Sequence, residues 1–570
     1  MPISLKDQID VASHDSTMGL SHAINRPALA DATLVRIIRE AGGIPFVKTN
    51  VPQTMLSFES GNPLFGRSSN PHNVERITGG SSGGEGGLLG SDGSVIGIGS
   101  DMCVLPSLSQ SDPATSLVER AGLDGGRSLA RSGGSLRIPA HFSGCYSIKP
   151  CAGRIAATGC RTFNAGFTAI MSSMGAMARS VSDVELMMRV QLDAAPALAA
   201  TEDVLPIPYR DVDLGLDGGK KKKLRFGFFT QDGFCRTSPA CERAVRETVD
   251  ALRREGYECV EFAPPSAIEA MECFVALTSA GRCASSLSLS LSLPPCPLPS
   301  LAPSLTLTPS RADETLLSHL QGDPQESSLW LATVGPKLPS FVRSALAWLV
   351  DNVVGDVQFG RLLRASKGRS VKEMQEWQHR RCVVVGFPPR SSPAWLSPHA
   401  PAHALTLDRP LARARRDEYV DATRKLLWSH HAFDAVLCPP QATPALKHGE
   451  TWNLSPLALA TIQWNVVDST VGLVPVTRVD PQLDAPDEAF GRKLESEPGS
   501  SLVEKRVYGP GGVYDAHDMA GLPVGVQIVG RRYDEERVIE LMKVVDAALG
   551  PRGFAPGDFA ARERAREKVY

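Results

Sequence analysis

Apolar and polar positions follow one another along this chain in short regular blocks that read as helices and strands in turn. From Asp31 to Ala41 the spacing of Leu34, Ile37 and Ile38 predicts a helix, and Gly42-Gly43 stops it before the strand Ile44-Pro45-Phe46-Val47-Lys48. The succession returns as a strand over Leu224 to Phe229, a helix over Ala240 to Glu255 and a strand over Tyr257 to Phe262. Residues 1 to 12 read as a buried strand and turn. Late strands are expected at Trp464 to Asp468, at Val474-Pro475-Val476 and from Gly521 to Gly530. Alternation of this kind predicts an α/β fold, a parallel or mixed twisted sheet with helices on both faces. The segment Phe341 to Val354, carrying Trp348, has the stripe of an amphipathic helix, which is ordinarily core. Residues 550 to 570 are charged and read as a frayed end.

One stretch follows neither period. Thr78-Gly79-Gly80-Ser81-Ser82-Gly83-Gly84-Glu85-Gly86-Gly87-Leu88-Leu89-Gly90 holds seven glycines, two adjacent serines and one acid in thirteen positions. Glycine costs about 1 kcal/mol inside a helix or strand, so the stretch predicts neither. It reads as a linker, or as backbone kept free of side chains so that its amides and a hydroxyl can approach a ligand.

Three further blocks break the alternation: Met102 to Arg131, a Ser-Leu-Pro tract from about Arg282 to Arg311, and a proline-, alanine- and arginine-rich run from about Cys382 to Arg416. Deleting the third joins the helix-like segments Met374 to Arg381 and Asp417 to Trp428. Serine, leucine and proline codons can all be pyrimidine-only, as at the end of an intron. The blocks are therefore retained introns or gene-model errors on one reading, and genuine surface loops on the other.

Composition narrows the classes. With 570 residues and 42% apolar side chains the chain can bury a large core, and a net charge of −2 gives no electrostatic case for nucleic acid or an anionic membrane. The dense basic run Lys220 to Lys223 reads as a solvated loop. Twelve cysteines without a C-x-x-C spacing point to free thiols rather than a disulfide frame or a zinc site, so neither metal nor cofactor is expected. No secretory signal and no apolar run of about 18 residues is visible, which favours a cytoplasmic protein.

A lysine, a glycine-nested serine pair and a second glycine-nested serine occur in that order, in Ile3-Ser4-Leu5-Lys6-Asp7, in Gly79-Gly80-Ser81-Ser82-Gly83 and in Ser132-Gly133-Gly134-Ser135-Leu136-Arg137. With Asn50-Val51-Pro52-Gln53, Asn62-Pro63-Leu64-Phe65-Gly66, Gly97-Ile98-Gly99-Ser100-Asp101, Leu437-Cys438-Pro439-Pro440 and Gly521-Leu522-Pro523-Val524-Gly525-Val526-Gln527, the chain resembles the amidase signature family. The resemblance implies one α/β domain over residues 1–570, and a truncated N-terminus, because the family carries a helical segment before its lysine.

It also implies a chemistry. Ser135 would be the nucleophile, Ser81 the serine that follows a cis peptide bond with Gly80, and Lys6 the base. Lys6 could serve only when neutral, which burial away from carboxylates favours. Ser82 is the rival to Ser81, and Lys48 or Lys149 to Lys6. The amides of Ser132, Gly133, Gly134 and Ser135, beside Ser81, would cradle an oxyanion, and Asp101 and Arg137 would support the glycine loops. Glu85 and the residues around it look like the acetamidase and fatty-acid-amide hydrolase branch, so the partner expected is a small-molecule amide. A membrane-facing role for the Trp348 helix and a homodimer are both compatible with the sequence. The rival reading is a catalytically disabled amidase fold, spoiled by truncation and by Met102 to Arg131, which separate Asp101 from the nucleophile loop.

Overall fold

Among the described residues, ten strands hydrogen-bond into one sheet. The computed structural model describes residues 1–101, 133–162, 170–215, 223–278, 280–282, 323–325, 340–366, 369–370, 413–496 and 499–567. In chain order the strands are β1 (Pro2–Lys6), β2 (Ile44–Thr49), β3 (Ile96–Asp101), β4 (Tyr146–Lys149), β5 (Ser173–Ala178), β6 (Arg225–Phe228), β7 (Glu258–Glu261), β8 (Ala435–Cys438), β9 (Val471–Arg478) and β10 (Pro523–Val529). They lie side by side as β7-β6-β8-β10-β9-β4-β5-β3-β1-β2. The trios β7-β6-β8 and β3-β1-β2 at the two ends are parallel, and each neighbouring pair between them is antiparallel. The mixed sheet expected from the alternation is therefore present.

Successive residues of a strand face opposite sides, and β9 shows what covers each. A Cβ at Gly472 would collide with Met542 of helix α9 (Glu535–Leu549), whereas Leu473 packs with Leu136 and Ala140 of the segment carrying α3 (Arg137–Ser143). Both faces are roofed by helices, so β10 is buried at every position from Pro523 to Val529. The predicted helices near the ends of the sheet form as α1 (Thr33–Glu40) and α4 (Pro239–Arg254), the latter with proline in its first turn and Arg253 and Arg254 in its last, where a cation suits the helix dipole. Strand β1 is interior, with Lys6 opposite Thr49 on β2 and Ile3 opposite Ile96 on β3. Ile3 and Leu5 enter the main apolar core, while Ser4 and Lys6 on the other face are also fully buried.

Several expectations are corrected. The second half of the glycine stretch is helix α2 (Gly83–Gly90), because contact rather than propensity decides there. A Cβ at Gly84 would collide with the backbone of Asn50, and one at Gly86 would stand 3.0 Å from Pro139. Trp464 to Val467 close helix α7 (Leu459–Val467) instead of forming a strand; every residue of α7 is buried, and an element buried all round gives no exposed face by which to tell helix from strand. The charged C-terminal stretch is not frayed throughout, since Phe554 is buried under Arg478 and α10 runs from Asp558 to Glu567. Arg413 to Arg416, placed in the third interruption, begin helix α6 (Arg413–Arg424).

The Trp348 segment forms α5 (Ser340–Leu349) and one wider turn to Val354. Its stripe is not core: Phe341, Trp348 and Val353 are 74%, 62% and 68% exposed. The first interruption, the Ser-Leu-Pro tract from residue 283 onward, the third interruption up to residue 412, the helix-like segment Met374 to Arg381 and Lys220 to Lys222 lie outside the described residues.

Two glycine substitutions separate propensity from packing. Gly491→Ala in α8 (Glu488–Ser496), where nothing stands within 4 Å, is expected to stabilise by about 0.5–1 kcal/mol. Gly84→Ala should instead destabilise by roughly 1–3 kcal/mol despite the same gain in propensity, because the backbone of Asn50 cannot give way. Denaturant midpoints of the two variants measure the contrast.

Candidate active site

Lys6 ends β1 on its polar face, and its amine lies under the turn that begins α2. There the peptide bond between Gly80 and Ser81 is cis, as expected. Lys6 Nζ donates to Ser81 Oγ at 2.7 Å and to Ser100 Oγ at 2.8 Å, and Ser100 Oγ donates in turn to Gln8 Oε1 at 2.7 Å. All four side chains are fully buried. The neighbouring Ser82 amide donates to the Ser135 carbonyl at 3.2 Å, which sets the Ser81 turn against the second glycine-serine loop. Lys6 and Ser81 are thus brought together from 75 positions apart in the chain.

The rivals are engaged elsewhere. Ser82 Oγ sits 3.3 Å from both the carbonyl and the amide of Ser100, an arrangement that anchors the turn to β3. Lys48 donates to the carbonyl of Asp15 and the hydroxyl of Ser16, and Lys149 to the carbonyl of Pro150. His141 is fully buried between the Thr443 carbonyl and the Gly525 amide; burial depresses its pKa to about 4, with the carbonyl pulling the other way, so the ring is neutral and bridges backbone.

Asp101, at the end of β3, holds the second loop. Its Oδ1 accepts from the Gly134 amide at 2.8 Å and its Oδ2 from the Leu136 amide at 3.2 Å, while Arg137 Nε and Nη2 grip the two oxygens at 3.1 and 3.2 Å. Asn465 adds a bond from Nδ2 to Oδ1 at 2.8 Å. Burial alone would raise this carboxyl's pKa, but the charge and hydrogen bonds of Arg137, with Lys149 and Asn465, outweigh it and hold the value at about 2. Gly134 has φ +99° and would drive a Cβ into Thr461, so only glycine suits that position.

Three points bear on the expected oxyanion cradle. The Gly134 amide is directed at Asp101 rather than toward a ligand. Ser132 lies outside the described residues. Gly133 is held through its carbonyl, which accepts from Thr461 Oγ1 at 2.8 Å. The expected loss of Asp101's approach to the loop is not found for Gly134 to Arg137, despite the 31 residues between Asp101 and Gly133. Ser100, Gln8, Thr461, Asn465 and Gln527 were not singled out from the sequence. Arg137 Nη1 donates to the Thr461 carbonyl and Gln527 Oε1 at 3.0 and 2.9 Å, so α7 and β10 brace the site.

The geometry therefore sets a buried lysine against the serine that follows a cis bond, beside a glycine-nested second loop. A model of the family described as Amidase matches residues 1–103, 132–310 and 397–539, and the chain belongs to that family of amide hydrolases. Among curated relatives it is 26% identical to fatty-acid amide hydrolase 1 of Sus scrofa over 97% of this chain and 76% of the relative. It is 27% identical to an acetamidase of Aspergillus oryzae, over 96% and 77% respectively. A solved fatty acid amide hydrolase superposes with a TM-score of 0.67 at 22% identity, covering 97% of this chain and 73% of that one.

Asp101→Asn keeps the shape of the side chain but leaves Arg137 buried without its counter-charge. A loss of about 3–5 kcal/mol in unfolding free energy is expected from denaturant titration at pH 7. The pH dependence has a definite sign. Because the folded carboxyl titrates below its unfolded value of 3.8, its contribution is complete above pH 3.8 and disappears as pH falls through about 2. The difference between the wild-type and Asp101→Asn chains should shrink over that interval.

Proposed function

We propose that this chain hydrolyses a linear carboxamide to a carboxylate and ammonia or an amine through an acyl-enzyme on Ser135. The observation that carries the reading is the 2.7 Å contact from Lys6 Nζ to Ser81 Oγ inside a fully buried polar pocket beside the Ser135 loop. Neutral Lys6 acts as the base. As Ser135 Oγ attacks the carbonyl carbon, its proton passes to Ser81 Oγ, and Ser81 releases its own proton to Lys6 Nζ. The relay then runs backward to protonate the departing nitrogen, and water repeats the cycle to free the carboxylate. The amides of Gly133 and Ser135, with Ser81, hold the oxyanion; one such donor is worth roughly 3 kcal/mol in the transition state.

The similarity to enzymes named for fatty-acid amides and for acetamide supports a simple acyl amide as substrate, with chain length set by the pocket. The outward apolar stripe of α5, carrying Phe341 and Trp348, supports docking of this face on a membrane, from which an acyl amide would be drawn. Among the described residues no helix is long and apolar enough to cross a membrane.

A serine-directed fluorophosphonate applied to the full chain, followed by peptide mapping, is expected to label Ser135. Lys6→Ala and Ser81→Ala should each slow labelling by about 10²–10⁴-fold. Label on another serine, or none, overturns the reading in favour of a disabled fold. Phosphatidylcholine vesicles test the membrane face separately: the double variant Phe341→Ser/Trp348→Ser should partition at least about tenfold less than the wild-type chain, since each buried ring contributes roughly 1.5–3 kcal/mol.

A further inference from the structure

Glu85 lies in the first turn of α2, fully buried, and takes no part in the proton relay described above. Its two oxygens are held from two different strands. Ser4 Oγ, two residues before Lys6 on the same face of β1, donates to Oε2 at 2.7 Å, and Thr49 Oγ1, which pairs with Lys6 across β1 and β2, donates to Oε1 at 2.8 Å. The third wall is β3, where a Cβ at Gly97 would collide with Oε2. Ser4 also lies 3.1 Å from Ser94 Oγ, which ties the cage to the approach of β3. A carboxyl group has thus been fitted into a slot of its own, on the side of the sheet where the amine of Lys6 emerges.

We propose that Glu85 is the positioning residue of Lys6: it clamps β1, which carries the amine, against the end of β2, and its negative charge governs how readily the amine gives up its proton. The proposal rests on Lys6 being the base. Its electrostatic part follows from which charges face Glu85. Lys6 on β1 is the cation whose field reaches it. Lys48 on β2 points to Asp15 and Ser16, Asp101 on β3 is matched by Arg137 on α3, and His141 on α3 is neutral between two backbone groups. Strand β5, also packed against α2, brings no ionisable side chain. The Cys145 thiol nearby stays protonated, its pKa pushed up to about 12 by burial first and by Glu85 as a lesser contribution, against the lowering pull of Arg179.

Burial raises the Glu85 pKa to about 7, against the lowering pull of Ser4, Thr49 and Lys6, so the group changes charge near neutrality. An ionised Glu85 attracts a proton to the amine of Lys6, and a neutral one does not. Removing the charge while keeping the hydrogen bonds should therefore let Lys6 act as a base at lower pH.

The experiment is the rate of fluorophosphonate labelling of Ser135 in the full chain as a function of pH. Glu85→Gln is expected to move the acid limb of the profile downward by about one pH unit or more, the size of effect that a neighbouring opposite charge exerts. Glu85→Ala, which also empties the cage, should slow labelling about tenfold or more at every pH, with Glu85→Gln recovering most of that loss. A Glu85→Gln profile that superimposes on the wild-type one overturns the proposal. Should that variant not fold, Thr49→Val carries the same test: it removes a bond that favours ionised Glu85, a smaller shift in the same direction is expected, and an unmoved limb is the overturning result. Lys6→Ala is the control. If it labels at the wild-type rate, the reading of the site falls with the proposal; if it is inert while the Glu85→Gln limb stays put, only the role of Glu85 falls.

Discussion

The carboxylate of Asp101 is the point on which the arrangement of the site depends. It sits at the end of β3 with no exposure to water, a position that an isolated charge could not hold. Five hydrogen bonds from Gly134, Leu136, Asn465 and both ends of the Arg137 fork satisfy it. Arg137 in turn reaches Thr461 and Gln527, so one ion pair fastens the Ser135 loop to β3, to α7 and to β10 together. The loop is therefore oriented by contacts to the sheet and not by the chain that leads into it. That is why 31 intervening residues between Asp101 and Gly133 do not separate the loop from its support.

On the neighbouring strands the same logic applies to polar groups without formal pairing. Strand β1 is buried on both sides, and its second face carries Ser4 and Lys6 instead of the apolar residues that usually fill a strand between two parallel neighbours. Such a face is stable only if its polar atoms find partners. Helix α2 supplies them: Ser81 just before its start for Lys6, and Glu85 in its first turn for Ser4 and Thr49. The glycines of α2 are what allow this, since Gly84 and Gly86 bring the helix backbone against Asn50 and Pro139 at distances no side chain would permit.

The periphery follows different rules from the centre. Near the C-terminal end, Phe554 fills a space beside Gly144 and Pro523 and is capped by the Arg478 guanidinium 4.3 Å from its ring centre. Across the molecule, α5 turns Phe341 and Trp348 outward, where burial within the fold contributes nothing to holding them. The sequence marked α5 by an apolar stripe and the C-terminal stretch only by its charge. What decides their burial is the presence or absence of an opposing element, which spacing along the chain does not encode.

By itself the sequence determined the alternation of helices and strands, the mixed α/β class, and the order of lysine, serine pair and second serine from which the family and the candidate residues Lys6, Ser81 and Ser135 could be named. These are local properties, carried by hydrophobic period, by glycine and proline punctuation and by short motifs. Only the tertiary structure decided that Gly83 to Gly90 is a helix, that Trp464 to Val467 is not a strand, and that Gly134 turns its amide to Asp101. It alone placed Glu85 between Ser4 and Thr49, 81 and 36 residues away. Each of these outcomes rests on a contact between segments far apart in the chain, and such contacts arise from the way strands are ordered across the sheet, which no local pattern of residues contains.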